Sequence, residues 1–333
     1  MAILVGIDEA GYGPHLGPLV VSAAAVRLPG DAPADPNLWS ALRSHVRKRP
    51  RGTSSRVVVC DSKAAYTACG VGPLERAVLG FLAASGRRPA TLSALVRQTG
   101  PSCDSAEARV HAGDAAGGPW HAPEDLRLPD SVTADDVASA ADHFGRGLAR
   151  LAGRCEGLWV NVATAARFNR LVATTGNKAG ALFALAAELL TAIHRRWPDE
   201  PVHVTMDRHG GRRYYADLLA QAFPMERVET LDESPHRSAY RLVRSGAGGG
   251  PAEMRLTICE RCEEWSLATA LASMAAKYVR ELHMRQLNTY FQRLVPGLRP
   301  TAGYGRDAWR FLADVDGARK AHDLADAVLL RCR

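Results

Sequence analysis

The run Ile3-Leu4-Val5-Gly6-Ile7 leads straight into two adjacent carboxylates, Asp8 and Glu9, and then into Gly11-Tyr12-Gly13-Pro14 and Gly17-Pro18. Aliphatic and β-branched residues in a short block predict a buried strand, and the glycines and prolines predict that it ends in a turn. Charge at the end of a buried strand is costly unless something positive sits on it, most often a metal ion or an arginine. A period of two would send Asp8 and Glu9 to opposite faces, so both serve one site only if the strand twists or breaks there. Gly11 and Gly13 allow that break.

A glycine loop after a strand could instead cradle a pyrophosphate, but such a loop should open a helix. Here Pro18 introduces Leu19-Val20-Val21-Ser22-Ala23-Ala24-Ala25-Val26, which reads as a second strand, and the two acids would repel a pyrophosphate.

A second apolar strand, 202–207, also finishes on an acid, Asp207, and is followed by Arg208-His209-Gly210-Gly211. It comes after a strand at 158–162 and a helical pattern over 177–197, whose Leu182, Leu185, Ala186, Leu189, Leu190 and Ile193 share one side. If the two acid-ended strands lie side by side, Asp8 and Asp207 meet at the sheet edge. Several carboxylates converging in this way are what two divalent ions about 3.5–4 Å apart require for phosphodiester hydrolysis. Oxygen ligands without clustered histidines favour Mg²⁺ or Mn²⁺ over zinc.

The remaining stretches are read more simply. A strand at 254–259, after the Gly-rich segment 245–251, leads to three glutamates, Glu260, Glu263 and Glu264. Leu267, Leu271, Met274, Tyr278 and Leu282 form a core-facing helical stripe, with Lys277, Arg280 and Glu281 as a structural or solvated set. Residues 38–48 read as a short helix and 57–60 as an extended segment, before a helix start at Asp61-Ser62-Lys63. Residues 90–153 are rich in Ala, Gly, Pro and His and read as an insertion with one helix at 133–151, chiefly a surface elaboration.

Net charge is +7, which suits a polyanionic partner. Basic residues cluster at Arg43, Arg47, Lys48, Arg49, Arg51 and Arg56, and again from Arg208 to Arg213. The cysteines number seven and are scattered, which argues against a disulfide framework and for reduced thiols. No apolar stretch is long enough for a membrane span and no secretory signal is evident, so the expectation is a cytoplasmic protein, monomeric by default.

Asp8-Glu9-Ala10-Gly11-x-Gly13-Pro14, the Asp61-Ser62-Lys63 tripeptide, the acid-ended strand at Asp207, the run Ala270-Leu271-Ala272-Ser273-Met274-Ala275-Ala276-Lys277 and the Gly303-Tyr304-Gly305 turn occur in this order. Together they resemble the type 2 ribonucleases H, the ribonuclease HII and HIII group, over residues 1–63 and about 158–312. The resemblance implies an α/β fold, a ribonuclease H-like core with a mixed five-stranded sheet flanked by helices. It further implies a single domain over 1–333, with the insertion at about 90–153 and a C-terminal helical extension at about 264–333.

The implied activity is metal-dependent endonucleolytic hydrolysis of RNA in RNA/DNA hybrids, or at ribonucleotides embedded in duplex DNA. Asp8, Glu9, Asp207 and Glu263 would be the catalytic and metal-binding acids, with Glu260 and Glu264 as alternatives for the fourth. Gly11, Tyr12, Gly13, Lys63 and Tyr304 would bind substrate. Tyr12 stands where the family carries a basic residue, so that cation is missing unless Arg208, Arg212 or Arg213 supplies it. A homologue that binds nucleic acid without cutting, or a nuclease of the same fold with another structured substrate, is the competing expectation.

Overall fold

The computed structural model describes residues 1–30, 37–50, 54–101, 118–121, 125–244 and 253–332. Arg51, most of the Ala- and Gly-rich part of the insertion and the 245–251 segment lie outside the described residues.

The chain opens with strands β1 (Ala2–Ala10) and β2 (Leu19–Leu28), paired antiparallel with Asp8 opposite Ser22. The helix expected at 38–48 is shorter: α1 (Leu38–Ala41) stops and the chain straightens so that β3 (Val46–Arg47) can pair with β4 (Val57–Val58). Asp61 caps α2 (Ser62–Cys69) by accepting from the Ala64 N–H at 2.7 Å. Then come α3 (Gly72–Ala84), α4 (Leu92–Thr99), α5 (Ala134–Ala149), β5 (Arg154–Ala163), α6 (Ala165–Thr175), α7 (Lys178–Arg196) and β6 (Val202–Asp207). A helix α8 (Ala216–Ala222) and a hairpin of β7 (Glu226–Glu233) with β8 (Arg237–Arg244) precede β9 (Glu253–Cys259). A 3₁₀ turn, Cys262–Glu264, leads into the long α9 (Leu267–Leu294), and α10 (Gly305–Asp314), α11 (Asp316–Ala321) and α12 (Asp326–Leu329) follow.

The main sheet runs β5-β2-β1-β6-β9-β8-β7. Strands β1, β6 and β9 are parallel to one another, while β2, β5, β7 and β8 join by antiparallel pairings. The mixed sheet flanked by helices is as expected, but it has seven strands rather than five. The extra two are the β7–β8 hairpin. Its β7 keeps a charged and largely solvated face, so it lacks the apolar alternation that marks a half-buried strand.

Both faces of the central strands are covered. Ile3, Val5 and Ile7 share one cluster with the buried stripe of α7, and Leu4 looks the other way into a cluster with α3, α5 and α9. A methyl at Gly6 would stand 2.0 Å from the Thr269 nitrogen, so the α9 backbone lies directly on β1. Alanines 270, 272, 275 and 276 permit that approach. The insertion helix α5 is not a surface elaboration: Ala140, Phe144 and Leu148 are core residues, and the Phe144 ring meets Phe81 edge-on at 5.3 Å. The C-terminal half of α9, with Met284, Leu287 and Phe291, belongs to a smaller cluster shared with α10 and α12. No helix among the described residues is long and apolar enough to cross a membrane.

Candidate active site

Parallel pairing of β1 with β6 sets Ile7 beside Met206, so the next residues, Asp8 and Asp207, leave neighbouring strands at the same end. On the other flank Asp207 pairs with Cys259, the last residue of β9. The 3₁₀ turn that follows folds back, and the Cys262 N–H donates to Asp207 Oδ1 at 3.1 Å. Asp8, Glu9, Asp207 and Glu263 therefore gather at the carboxyl ends of three parallel strands, where open α/β sheets bind ligands.

Their electrostatics are those of crowded, partly buried anions. Burial raises the Asp8 carboxyl well above its usual range, and the charges of Glu9 and Asp207 raise it further. A hydrogen bond from Ser273 offsets part of this. Burial, then Asp207, pushes Glu9 up to about 7, against an opposing pull from Lys63. Asp207 is raised chiefly by burial, although backbone N–H groups of Cys262, Arg261 and Arg208 favour its charge. Glu263 is raised by burial and by its acidic neighbours, Asp207 foremost among them.

Of the three glutamates after β9, two are engaged. Glu260 pairs with Arg208 at 3.0 Å, and Glu264 pairs with Arg261 while its carbonyl accepts from Lys48. Glu263 makes no ion pair among the described residues and is raised by the charge of Asp207, while Glu260, paired with Arg208, also acts on Asp207. The turn also corrects the expectation for the cysteines. Cys259 and Cys262 are joined by a disulfide, their Cα atoms 6.0 Å apart, whereas Cys60 and Cys155 are buried free thiols.

As the side chains stand, no three His, Cys, Asp or Glu groups among the described residues close on one point as a metal would need. The fit to a hard cation lies in the donor chemistry: an oxygen-only set, repulsion that raises Asp8, Glu9 and Glu263, and a buried Glu9 Oε2 with no hydrogen-bond partner. A divalent ion would relieve the repulsion and engage the unpartnered oxygen.

The expected substrate-binding residues fall around this cluster. Gly11 has φ +90°, and a methyl there would meet the Pro18 carbonyl oxygen at 2.6 Å. Its carbonyl and that of Tyr12 accept from the buried Arg331, at 2.8 Å for Tyr12. Gly13 has open space where a side chain would be. The turn carrying Tyr304 is stitched to the same loop through His15 N–H to the Gly303 carbonyl, 2.8 Å. Tyr304 is 46% exposed, with the buried Arg280 over its ring at 5.2 Å. Lys63 lies on the first turn of α2, near enough for its charge to act on Glu9.

Of the arginines that could replace a cation at Tyr12, Arg212 is the one whose charge reaches the Tyr12 phenol, which burial and Glu9 otherwise raise. Arg208 is turned to Glu260, with its Nε and Nη2 buried and unpartnered. Two participants escaped the sequence reading. Ser273 gives its hydroxyl proton to Asp8 and lies 3.0 Å from the Ser62 hydroxyl, which can donate to it in turn; its only sequence sign is a hydroxyl in an alanine-rich run. Arg331 has no sign at all, since nothing around Leu329-Leu330-Arg331 marks it as the holder of the glycine loop.

No family model and no curated protein matches the chain. Among solved structures it is similar to ribonuclease HII of Archaeoglobus fulgidus, solved in complex with PCNA, at 14% identity and TM-score 0.42, covering 99% of this chain and 94% of that one. It is also similar to Bst-RNase HIII in complex with Mn²⁺ (16% identity, TM-score 0.41, covering 99% of this chain and 66% of that one). A third is ribonuclease H2 of Pyrococcus horikoshii, at 13% identity and TM-score 0.41, covering 98% and 92%. Likenesses at this level leave the chemistry to be argued from the chain's own residues.

Proposed function

We propose that the chain is a metal-dependent endonuclease of the type 2 ribonuclease H kind, hydrolysing RNA in RNA/DNA hybrids or at ribonucleotides embedded in duplex DNA. The observation that carries this reading is the emergence of Asp8 and Asp207 from the same end of adjacent parallel strands, with Glu9 and Glu263 beside them; Lys63 acts on Glu9 from a distance but forms no ion pair with it among the described residues. Uncompensated carboxylates would repel a phosphate backbone and are costly to keep buried, so their use is to hold positive charge. We read the chain as one domain acting as a monomer, with the 90–153 and 264–333 parts as additions to the core.

Mg²⁺ or Mn²⁺ bound there would polarise the scissile phosphate and make water acidic enough to deprotonate near neutral pH. Asp8, steadied by Ser273, would hold the metal together with Glu9, Asp207 and Glu263. Glu9 would hold the ion as a carboxylate, giving up the proton that burial otherwise favours. Attack at phosphorus expels the 3′ oxygen, leaving a 3′-hydroxyl and a 5′-phosphate without a covalent intermediate. The Gly11–Gly13 backbone and the exposed Tyr304 ring offer a surface for the sugar at the junction, and an aromatic face suits that task. Lys63 and Arg212 supply positive charge near the phosphate.

The test is cleavage of a labelled RNA/DNA hybrid, and of duplex DNA with one ribonucleotide, in Mg²⁺ or Mn²⁺, by the wild type and Asp8→Asn. Cleavage by the wild type alone supports the reading; none, or equal cleavage by both, sinks it. One alternative is a homologue that binds the duplex without cutting. Calorimetric titration with Mn²⁺ separates the two, because only the enzyme needs the ion.

A further inference from the structure

Beside the acidic cluster, between α2 and the segment after β3, lies a cleft of about 740 Å³ lined by Arg49, Asp61, Lys63, Ala64, Thr67 and Ala68. Lys63, Ala64, Thr67 and Ala68 recur at helical spacing, so they form one face of α2, with Arg49 opposite. The alanines keep that face low. Arg49, Lys63 and Thr67 are all exposed.

What sets the cleft apart is the state of its charges. The nearby basic residues are occupied: Lys48 sits over the Trp39 ring at 4.0 Å and donates to the Glu264 carbonyl, Arg56 donates to the Arg43 carbonyl, and Arg76 to the carbonyls of Ser55 and Arg56. Arg49 and Lys63 have no ion pair among the described residues. The single carboxylate of the lining, Asp61, is committed to capping α2. The cleft thus offers two cations without an ion pair among the described residues and a hydroxyl, beside one carboxylate, Asp61, whose Oδ1 is held by the helix cap. It also adjoins the acids, since the charge of Lys63 acts on Glu9 and that of Asp61 on Glu263.

We propose that this cleft takes the sugar–phosphate backbone of the bound nucleic acid one or more nucleotides away from the cleaved bond, with Arg49 as its outer phosphate contact, Lys63 as the inner one and Thr67 as a hydroxyl donor. The inference rests on the nucleic-acid function proposed above and adds the path of the strand. A backbone contact of this kind carries no sequence information and fixes register. Its signature is electrostatic: each phosphate contact contributes about 0.9 to the slope of log affinity against log salt.

The experiment measures anisotropy of a fluorescent RNA/DNA hybrid in EDTA, where no cleavage can occur, across a KCl series. It compares the wild type with Arg49→Ala, Arg49→Glu, Thr67→Val and, as a control, Arg195→Ala on the exposed side of α7. Arg49→Ala should weaken binding about five- to tenfold and reduce the salt slope by roughly one. Arg49→Glu should weaken it further, and Arg195→Ala should match the wild type. In Mg²⁺, Arg49→Ala should raise KM more than it lowers kcat. Arg49 variants with wild-type affinity and slope, while the wild type binds and cleaves, would overturn the cleft alone. Failure of the wild type to bind any hybrid would overturn the cleft and the proposed function together.

Discussion

Arg331 closes onto Gly11 across 320 residues of chain, its buried guanidinium donating to the glycine carbonyl and also to that of Tyr12. The ring of Phe168 lies 4.2 Å from that guanidinium and completes its enclosure. Replacing Arg331 by Met keeps the bulk and leaves two carbonyls without their donor. The expected cost is about 2–3 kcal/mol, the range for buried hydrogen bonds to a charged group. The urea unfolding midpoint measures it, and a midpoint equal to the wild type would show that the loop is held by something else.

Gly6 is where α9 rests on β1. Gly6→Ala brings a methyl within 2.0 Å of backbone that cannot yield without moving the helix. The loss should reach about 3 kcal/mol or more, at the upper end for overpacking. Soluble yield and the melting temperature check it. A variant that melts with the wild type would mean that α9 stands further off the sheet.

Stability without metal should depend on pH in an unusual direction. The Glu9 carboxyl is raised from 4.5 to about 7, so the folded protein holds a proton that the unfolded chain has released. Its contribution is fully present below pH 4.5 and is lost as pH rises through about 7. In EDTA the unfolding free energy should fall between pH 5 and pH 8, and Glu9→Gln should flatten that part of the profile. Metal affinity should move the opposite way, rising with pH as the ion displaces the proton. Calorimetry in two buffers of different ionisation enthalpy counts the protons released, and none released would remove Glu9 from the ligand set.

Asp8→Asn should separate function from stability. It removes one charge from a cluster in which Glu9 and Asp207 already oppose it. Cleavage should fall by more than the roughly 10–100-fold typical of changes behind the ligands themselves. The metal-free variant should nevertheless melt above the metal-free wild type, because active-site strain is relieved. A variant that melts lower would mean that Asp8 supports the fold through Ser273 more than it burdens it.

What could be read beforehand follows from where sequence carries a signal. Asp8 and Asp207 stood out because each ends an apolar run and is followed by glycine, and the pairing of Ile7 with Met206 brings them together. The acid after β9 could be narrowed only to three glutamates, because spacing along a turn does not say which carboxylates find arginines; Arg208 and Arg261 take two of them. The β7–β8 hairpin was missed because its charges hide the period of two, and the Cys259–Cys262 bond because a close pair three residues apart reads equally as reduced thiols until the turn sets their approach. Arg280 read as structural and is so, buried under Tyr304; Arg331 gave no sign, since a lone arginine carries no address. The four acids lie at the same end of the sheet, and their assignment as metal ligands is the proposal that the predictions probe.

Helix α9 is 28 residues long, about 42 Å at the usual rise of 1.5 Å per residue. One end floors Asp8 through Ser273 and Gly6, and the other is embedded in the cluster of Phe291 and Phe311. Gripped at both ends, the helix joins the acidic cluster and the far packing cluster as one continuous element, so a substitution that swells the packing around Phe291 would load the same helix that floors Asp8.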